Sequence, residues 1–288
     1  DQIGIIEGIA DGERIWSARF MGDRAYLVTF ENIDPLWVLD LSDPVNPIIL
    51  GELEVPGVST YIHPVDEDTL LTIGIGPGDD GLGLDWSMTQ ISLFDVSDPT
   101  NPTLADSLPI SPVYADDDCQ NIRTCGWSWS WSEATYEHKA FTYWAPESML
   151  AVPLSTYRYV YDENYYDGGY EHISMLKLID VDTENLSLSE HGEIDHSSFY
   201  NDDDRPNWWF YSTSIRRSIF MGDYIYAFST LGVTIHNTTD LTHMQDMLIP
   251  GSHHVEDVGE EESEQESSES SGEDEPCPDG SEGDSCQD

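Results

Sequence analysis

Three tryptophans occupy alternate positions in "CGWSWSWSEA": Trp127, Trp129 and Trp131. In an extended strand that period puts all three on one face and the serines on the other. Such an aromatic row can stack on a sugar ring, and it can equally pack inside the protein. His63 in "YIHP" and His138 in "YEHKAF" could transfer protons or ligate a metal, or else make a hydrogen bond within the core. Carboxylates cluster three times: Asp79, Asp80 and Asp85 in "GIGPGDDGLGLD", then Asp116, Asp117 and Asp118, then Asp202, Asp203 and Asp204. Calcium takes about six to eight oxygen ligands, so each cluster could hold Ca2+. None has EF-hand spacing, and solvated acidic loops look the same.

Catalytic signatures do not accompany these residues. The chain has no Gly-x-Ser-x-Gly, no His-Glu-x-x-His, no Gly-x-x-x-x-Gly-Lys and no dinucleotide glycine motif opening a helix. An enzyme is therefore the less supported reading. Its remaining form is a hydrolase or oxidoreductase built around His63 and His138.

Charge narrows the partners. Ten basic residues face 57 acidic ones, a formal net charge of −47, and Lys139 and Lys177 are the only lysines. Nucleic acid is excluded as a partner because phosphate binding needs Lys and Arg to displace counterions. An anionic membrane surface is excluded likewise. No stretch approaches the roughly 20 apolar residues that would span a bilayer, so no membrane insertion is expected. Fifteen of the acids lie beyond Val255, yet the rest of the chain is still acidic, with 42 against ten basic residues. Salt or bound cations must screen that self-repulsion, which fits a saline or calcium-containing exterior.

Cys119 and Cys125 form one close pair, and Cys277 and Cys286 another. Two local disulfides in an oxidising compartment account for both; four thiolates on a metal are the rival, against which the spacings count. The chain opens on Asp1 with "IGIIEG", which reads as a strand and suggests a processed or truncated product. A missing signal peptide then says nothing for the cytosol.

The elements that must position these residues are announced by a repeated sentence. "VLDLSDPVNP" (Val38–Pro47) returns as "LFDVSDPTNP" (Leu93–Pro102), and "RFMGD" (Arg19–Asp23) returns as "IFMGD" (Ile219–Asp223). Around each copy lie four short runs of aromatic and β-branched residues separated by Gly, Asp, Asn and Pro, which are strand and turn signals. Two degenerate copies follow. Four strands per unit is the plan of a propeller blade, and fixed-period self-similarity marks a repeat architecture. Asp40 and Asp95 are explained as turn caps, with Pro44 and Pro99 presetting the backbone. The expected fold is all-β, a β-propeller with about four four-stranded blades near 8–55, 56–112, 133–195 and 208–250; a two-sheet sandwich is the alternative. In that fold His63 and His138 would line the axial channel. Residues 253–288, rich in Ser and Glu, are expected to be a disordered tail.

The stretches "GERIWSARFMGDRAYLVTFENIDPLWVLDLSDPVNPIILGELEVPGVSTYIHPVDEDTLLTIG", "SLFDVSDPTNP", "WSEATYEHKAF" and "SIFMGDYIYAFS" resemble the secreted β-propeller domain family of bacteria and archaea, distantly related to WD repeats. The resemblance runs from about Gly8 to Pro250. It implies the fold and an extracellular or cell-envelope setting; it carries no activity and no catalytic set. "DDDCQNIRTCGWSW", Tyr157–Tyr170 and the acidic tail depart from the family pattern. The family domain extends further upstream, so the four blades are expected to belong to a larger ring, with "IGIIEG" as the outer strand of a blade begun elsewhere. The expected function is a binding or scaffold module. Its partners would be a protein or glycan at the cell surface and upstream propeller blades of the same protein. A calcium-stabilised surface domain is the alternative, alongside the axial enzyme.

Overall fold

Leu70 and Leu71 are neighbours in one strand, both with no exposed surface, and they belong to different cores. That is the signature of a sheet buried on both faces, because successive side chains of a strand point to opposite sides. The computed structural model describes residues 2–30, 34–78, 83–110, 128–161, 168–196, 199 and 214–250. Its strands form four sheets. The first holds β1 (Arg14–Met21), β2 (Arg24–Phe30), β3 (Asp34–Asp40) and β4 (Ile48–Val55). The second holds β5 (Val58–Pro64), β6 (Thr69–Pro77), β7 (Leu84–Asp95) and β8 (Thr103–Pro109). The third holds β10 (Thr142–Trp144), β11 (Met149–Tyr161), β12 (Gly168–Asp182) and β13 (Ser187–Asp195), with the extra strand β9 (Ser128–Trp131) paired to β11. The fourth holds β14 (Arg217–Met221), β15 (Tyr224–Phe228), β16 (Gly232–Asn237) and β17 (His243–Leu248).

Every ladder is antiparallel, and within each four-strand path a strand pairs with its sequence neighbour. The fold is thus all-β with propeller-type blades, as the repeats predict, and the sheets pack face to face in chain order. Tyr26, Val28, Leu36 and Val38 of the first sheet meet Val58, Ile62, Leu70 and Phe94 of the second. Leu71, Ile73, Ile91 and Leu93 of the second meet Leu150, Val152, Ile179 and Val181 of the third. Met149, Ala151, Leu176 and Leu178 of the third meet Phe220, Ile225 and Ala227 of the fourth. Burying such side chains on both faces is worth about 1.5–3 kcal/mol each, and it explains why the middle strands read as almost unbroken apolar runs. The outermost strand β8, by contrast, alternates exposed and half-buried residues.

The repeated sentence is the corner between the third and fourth strands of a sheet. The Asp40 carboxylate accepts from the Ser42 amide at 2.8 Å and Asp43 from that of Val45 at 3.1 Å. Asp95 and Asp98 repeat this with Ser97 and Thr100, both at 3.0 Å. Asn237 and Asp240 repeat it in the fourth sheet, with Thr239 at 2.8 Å and Thr242 at 3.0 Å. In the third sheet Asp182 caps instead, accepting from the Glu184 and Asn185 amides, while Asp180 faces His191 Nδ1 at 3.1 Å. These side chains hold the turn that local sequence favours. The "MGD" corners are two-residue hairpins whose first residue needs a left-handed backbone, φ +59° at Gly22 and +60° at Gly222.

The first two sheets also lean their outer strands on the next sheet. A Cβ on Gly51 of β4 would stand 2.7 Å from the Pro99 carbonyl oxygen, so only glycine lets the strand pass the turn so closely. Asp106 of β8 accepts from the Leu188 amide of β13 at 2.7 Å. Replacing Gly51 by valine should therefore push the first two sheets apart and destabilise the chain by about 1–3 kcal/mol, the usual cost of overpacking. Urea unfolding of Gly51→Val measures this, and an unchanged midpoint would contradict the close approach.

Candidate functional site

The third sheet has its innermost strand cut in two. One edge of β11 pairs with β12 along its whole length, so β10, opposite Met149–Ala151, and β9, opposite Ser155–Arg158, must share the other edge. The sequence between them predicts a continuation of the strand pattern; the structure instead loops it out as two short 3-10 turns, Glu133–Thr135 and His138–Ala140. The reason is local capping. The Ser132 hydroxyl accepts from the Ala134 amide at 3.2 Å, and the Glu137 carboxylate accepts from the Lys139 amide at 3.1 Å. The loop lifts Glu133, Tyr136 and His138 away from the sheet.

Beside that loop lies an aromatic cleft. Trp129 and Trp131, two apart on β9, point the same way with ring centroids 5.3 Å apart and planes tilted by 31°. Trp86 of β7 joins them from the second sheet, its carbonyl accepting from Trp129 Nε1 at 2.9 Å. Trp86 in turn stands 6.1 Å from Trp16 of the first sheet. Tyr136 from the first 3-10 turn completes the wall, and Ile75 and Met88 also line the space, a cleft of about 340 Å³. The rings are not core: Trp86 is 60% exposed, Trp129 46% and Tyr136 72%.

Glu133 anchors the loop to the fourth sheet. Arg216 donates to both its carboxylate oxygens at 2.8 Å, and Arg217 Nη1 donates to one at 2.8 Å. Burial alone would raise its pKa, but the hydrogen bonds from the two guanidinium groups outweigh this and hold the carboxyl below its ordinary value.

His63 and His138 do not hold equivalent places. His63 sits on β5, whereas His138 opens the second 3-10 turn, outside any strand, because the capped loop removes it from the ladder. They flank Tyr61, whose ring is 6.3 Å from His63 and 6.4 Å from His138. His63 also packs against Phe141 and Tyr143 at 5.4 and 5.5 Å. Burial, and then the charge of Arg19, lower its pKa, so it is a neutral ring at neutral pH. His138 is exposed beside Glu137, at 3.6 Å.

Among the calcium candidates Asp85 is described, and its carboxylate accepts from the Ser87 amide at 2.9 Å and the Ser87 hydroxyl at 2.5 Å, as a turn residue does. Among the described residues no group of three or more His, Cys, Asp or Glu side chains is placed to hold a metal. Asp79, Asp80, Asp116, Asp117, Asp118, Asp202, Asp203, Asp204, Trp127, Cys119, Cys125, Cys277 and Cys286 lie outside the described residues. Trp86 and Tyr136 are the cleft residues that sequence reading misses. Each is an isolated aromatic with no periodic signal, and Trp86 lies 43 residues from its hydrogen-bond partner Trp129.

Four histidines are held below their ordinary pKa by burial: His63 and His236, and His172 and His196, the last two pushed down to about 4. A histidine neutral in the fold and protonated when unfolded withdraws stability as pH falls from its ordinary value of 6.5 towards the folded one. Unfolding free energy should therefore fall by on the order of a few kcal/mol between those limits. His196→Gln should flatten this acid limb; a profile with the same slope as the parent would remove His196 as a cause.

The comparisons with known proteins agree with this architecture. A family model described as "Beta propeller domain" matches residues 1–241. An uncharacterised protein of Methanocaldococcus jannaschii is 33% identical over 227 residues, covering 79% of this chain and 27% of the relative. One from Archaeoglobus fulgidus is 34% identical over 166 residues, covering 58% of this chain and 22% of the relative. The chain thus spans about a quarter of the length of the relatives it matches. A solved structure, the Nup133 β-propeller domain of Vanderwaltozyma polyspora, is similar with a TM-score of 0.32 and 10% identity, covering 85% of this chain and 58% of that one. So low a score adds nothing to what the sheets themselves establish. With four-stranded antiparallel blades stacked in chain order and a family match over most of its length, the chain belongs to the Beta propeller domain family.

Proposed function

We propose that this chain is a non-catalytic binding and scaffold module of an extracellular or cell-envelope setting, and that it acts through the two end faces of its sheet stack. One comparison carries the reading. Phe20 and Phe220 hold the same place in the same "FMGD" hairpin, paired with Ala25 and Ile225 respectively. Phe220 is 6% exposed and stacks on Trp144 of the preceding sheet at 5.9 Å, with the ring planes 13° apart. Phe20 is 71% exposed.

The fourth sheet shows the converse. Tyr26 and Val38 share a row facing the second sheet and are fully buried. The matching row Ile219, Tyr226 and Ile235 carries Ile219 at 48% exposure, and Met221 and Met247 on the same face are exposed too. Among the described residues no buried core joins the first sheet to the fourth. An apolar sheet face of this kind marks an interaction surface, and the contacts it would make are those already made three times inside the chain. The partners it suits are further four-stranded blades, including upstream blades of the same protein. Residues 2–8 are consistent with this: they form no strand, yet Gly4 approaches the Pro44 carbonyl as Gly51 of β4 approaches that of Pro99. The net charge of −47 suits a saline exterior, where salt screens the repulsion.

Light scattering and an apolar-surface dye test the reading. In molar salt the chain should bind the dye and associate as its concentration rises. Phe20→Asp combined with Ile219→Asp should abolish both without lowering the Tm, since both side chains are exposed. A dye-silent monomer at every concentration would mean that the faces are covered and would overturn the proposal.

A further inference from the structure

We infer that the aromatic cleft between the second and third sheets binds a small organic cation of the quaternary or methylated ammonium class. The inference is independent of the end faces, which lie on other sheets. What the cleft offers is aromatic surface: Trp86, Trp129, Trp131 and Tyr136, with Met88 and Ile75 beside them. Its volume of about 340 Å³ is at the small end for ligand sites, enough for a compact head group.

The choice of a cation over a sugar rests on hydrogen bonding and charge. A saccharide needs donors and acceptors for its hydroxyls, and the Ser130, Ser132 and Thr135 hydroxyls at this cleft are already hydrogen-bonded within the protein. Ser130 shares a hydrogen bond with Thr156 at 3.0 Å, Ser132 donates to the Pro153 carbonyl at 2.5 Å, and Thr135 donates to the Ser132 carbonyl at 2.8 Å. Trp129 has committed its indole N–H to the Trp86 carbonyl, which fixes the ring and leaves its face exposed. Among the described residues no Lys or Arg lines the cleft. The acids next to lining residues in the chain, Asp85, Glu133 and Glu137, do not themselves line the cleft, and Glu133 is paired with Arg216 and Arg217, so the local attraction comes from the ring faces. A methylated ammonium needs no hydrogen bond; it is drawn by the ring quadrupoles and is concentrated by the −47 charge of the chain.

Calorimetry and tryptophan fluorescence on the full chain decide this, titrating choline, its uncharged isostere 3,3-dimethylbutan-1-ol and glucose in parallel at molar salt. High salt suppresses loose association of cations with the acidic surface. Choline should saturate one site and bind at least about tenfold more tightly than the isostere, the size of a partly desolvated cation–π contribution. Trp129→Ala should weaken choline by more than about tenfold, and Trp86→Phe, which keeps a ring, by less. Both residues are exposed, so an unchanged Tm verifies the fold. Equal affinity for the isostere, binding of glucose in place of choline, no binding at all, or full affinity in Trp129→Ala would each overturn the inference.

Discussion

A four-stranded sheet that is apolar on both faces cannot be left alone in water. Adjacent residues of β6 and of β11, Leu70 with Leu71 and Leu150 with Ala151, feed separate cores, so each inner sheet draws stability from two neighbours at once. The rest of the architecture follows from this demand. It dictates the linear stacking, the near-continuous apolar runs of the middle strands, and the abrupt change at either end of the stack. There, Phe20 meets solvent where its counterpart Phe220 is buried, and Ile219 lies exposed on the far face of the fourth sheet.

Stacking alone would leave the sheets free to slide, and the corners prevent this. Each corner is closed by a carboxylate or amide side chain accepting backbone N–H groups, which relieves the turn of unsatisfied donors and fixes its shape. A corner of fixed shape is a surface on which the neighbouring outer strand can rest, as β4 does with Gly51 against Pro99. The aspartates of the repeated sentence are thus structural. Their pKa values are lowered by hydrogen bonds from Ser42 at Asp40 and from Ser97 at Asp95, and that is the effect of the turn itself.

Novelty enters where the repeat is broken. The third sheet opens its inner strand to admit a capped loop, and this departure places Glu133, Tyr136 and His138 off the ladder. The ion pair of Glu133 with Arg216 and Arg217 ties the loop to the segment entering the next sheet, so the loop is held from both sides. The aromatic cleft sits at the same break. Propeller stacking supplies a rigid frame, and the interruption of one strand supplies the part of the surface that differs from a plain blade.

The fold was legible in the sequence because its information is local and repeated. Turn chemistry at Asp40–Pro47 and Asp95–Pro102, the "MGD" hairpins and the two-residue period of the strands act over a few residues each. Repetition then turns four weak signals into one strong one. The alternation of Trp129 and Trp131 likewise placed them on one face, since a strand has a fixed period. Tertiary structure alone decided that Trp86 and Tyr136 stand beside them and that Phe20 is bare where Phe220 is buried. Those outcomes depend on which sheet lies opposite, a contact between residues tens of positions apart. No local propensity encodes such a contact.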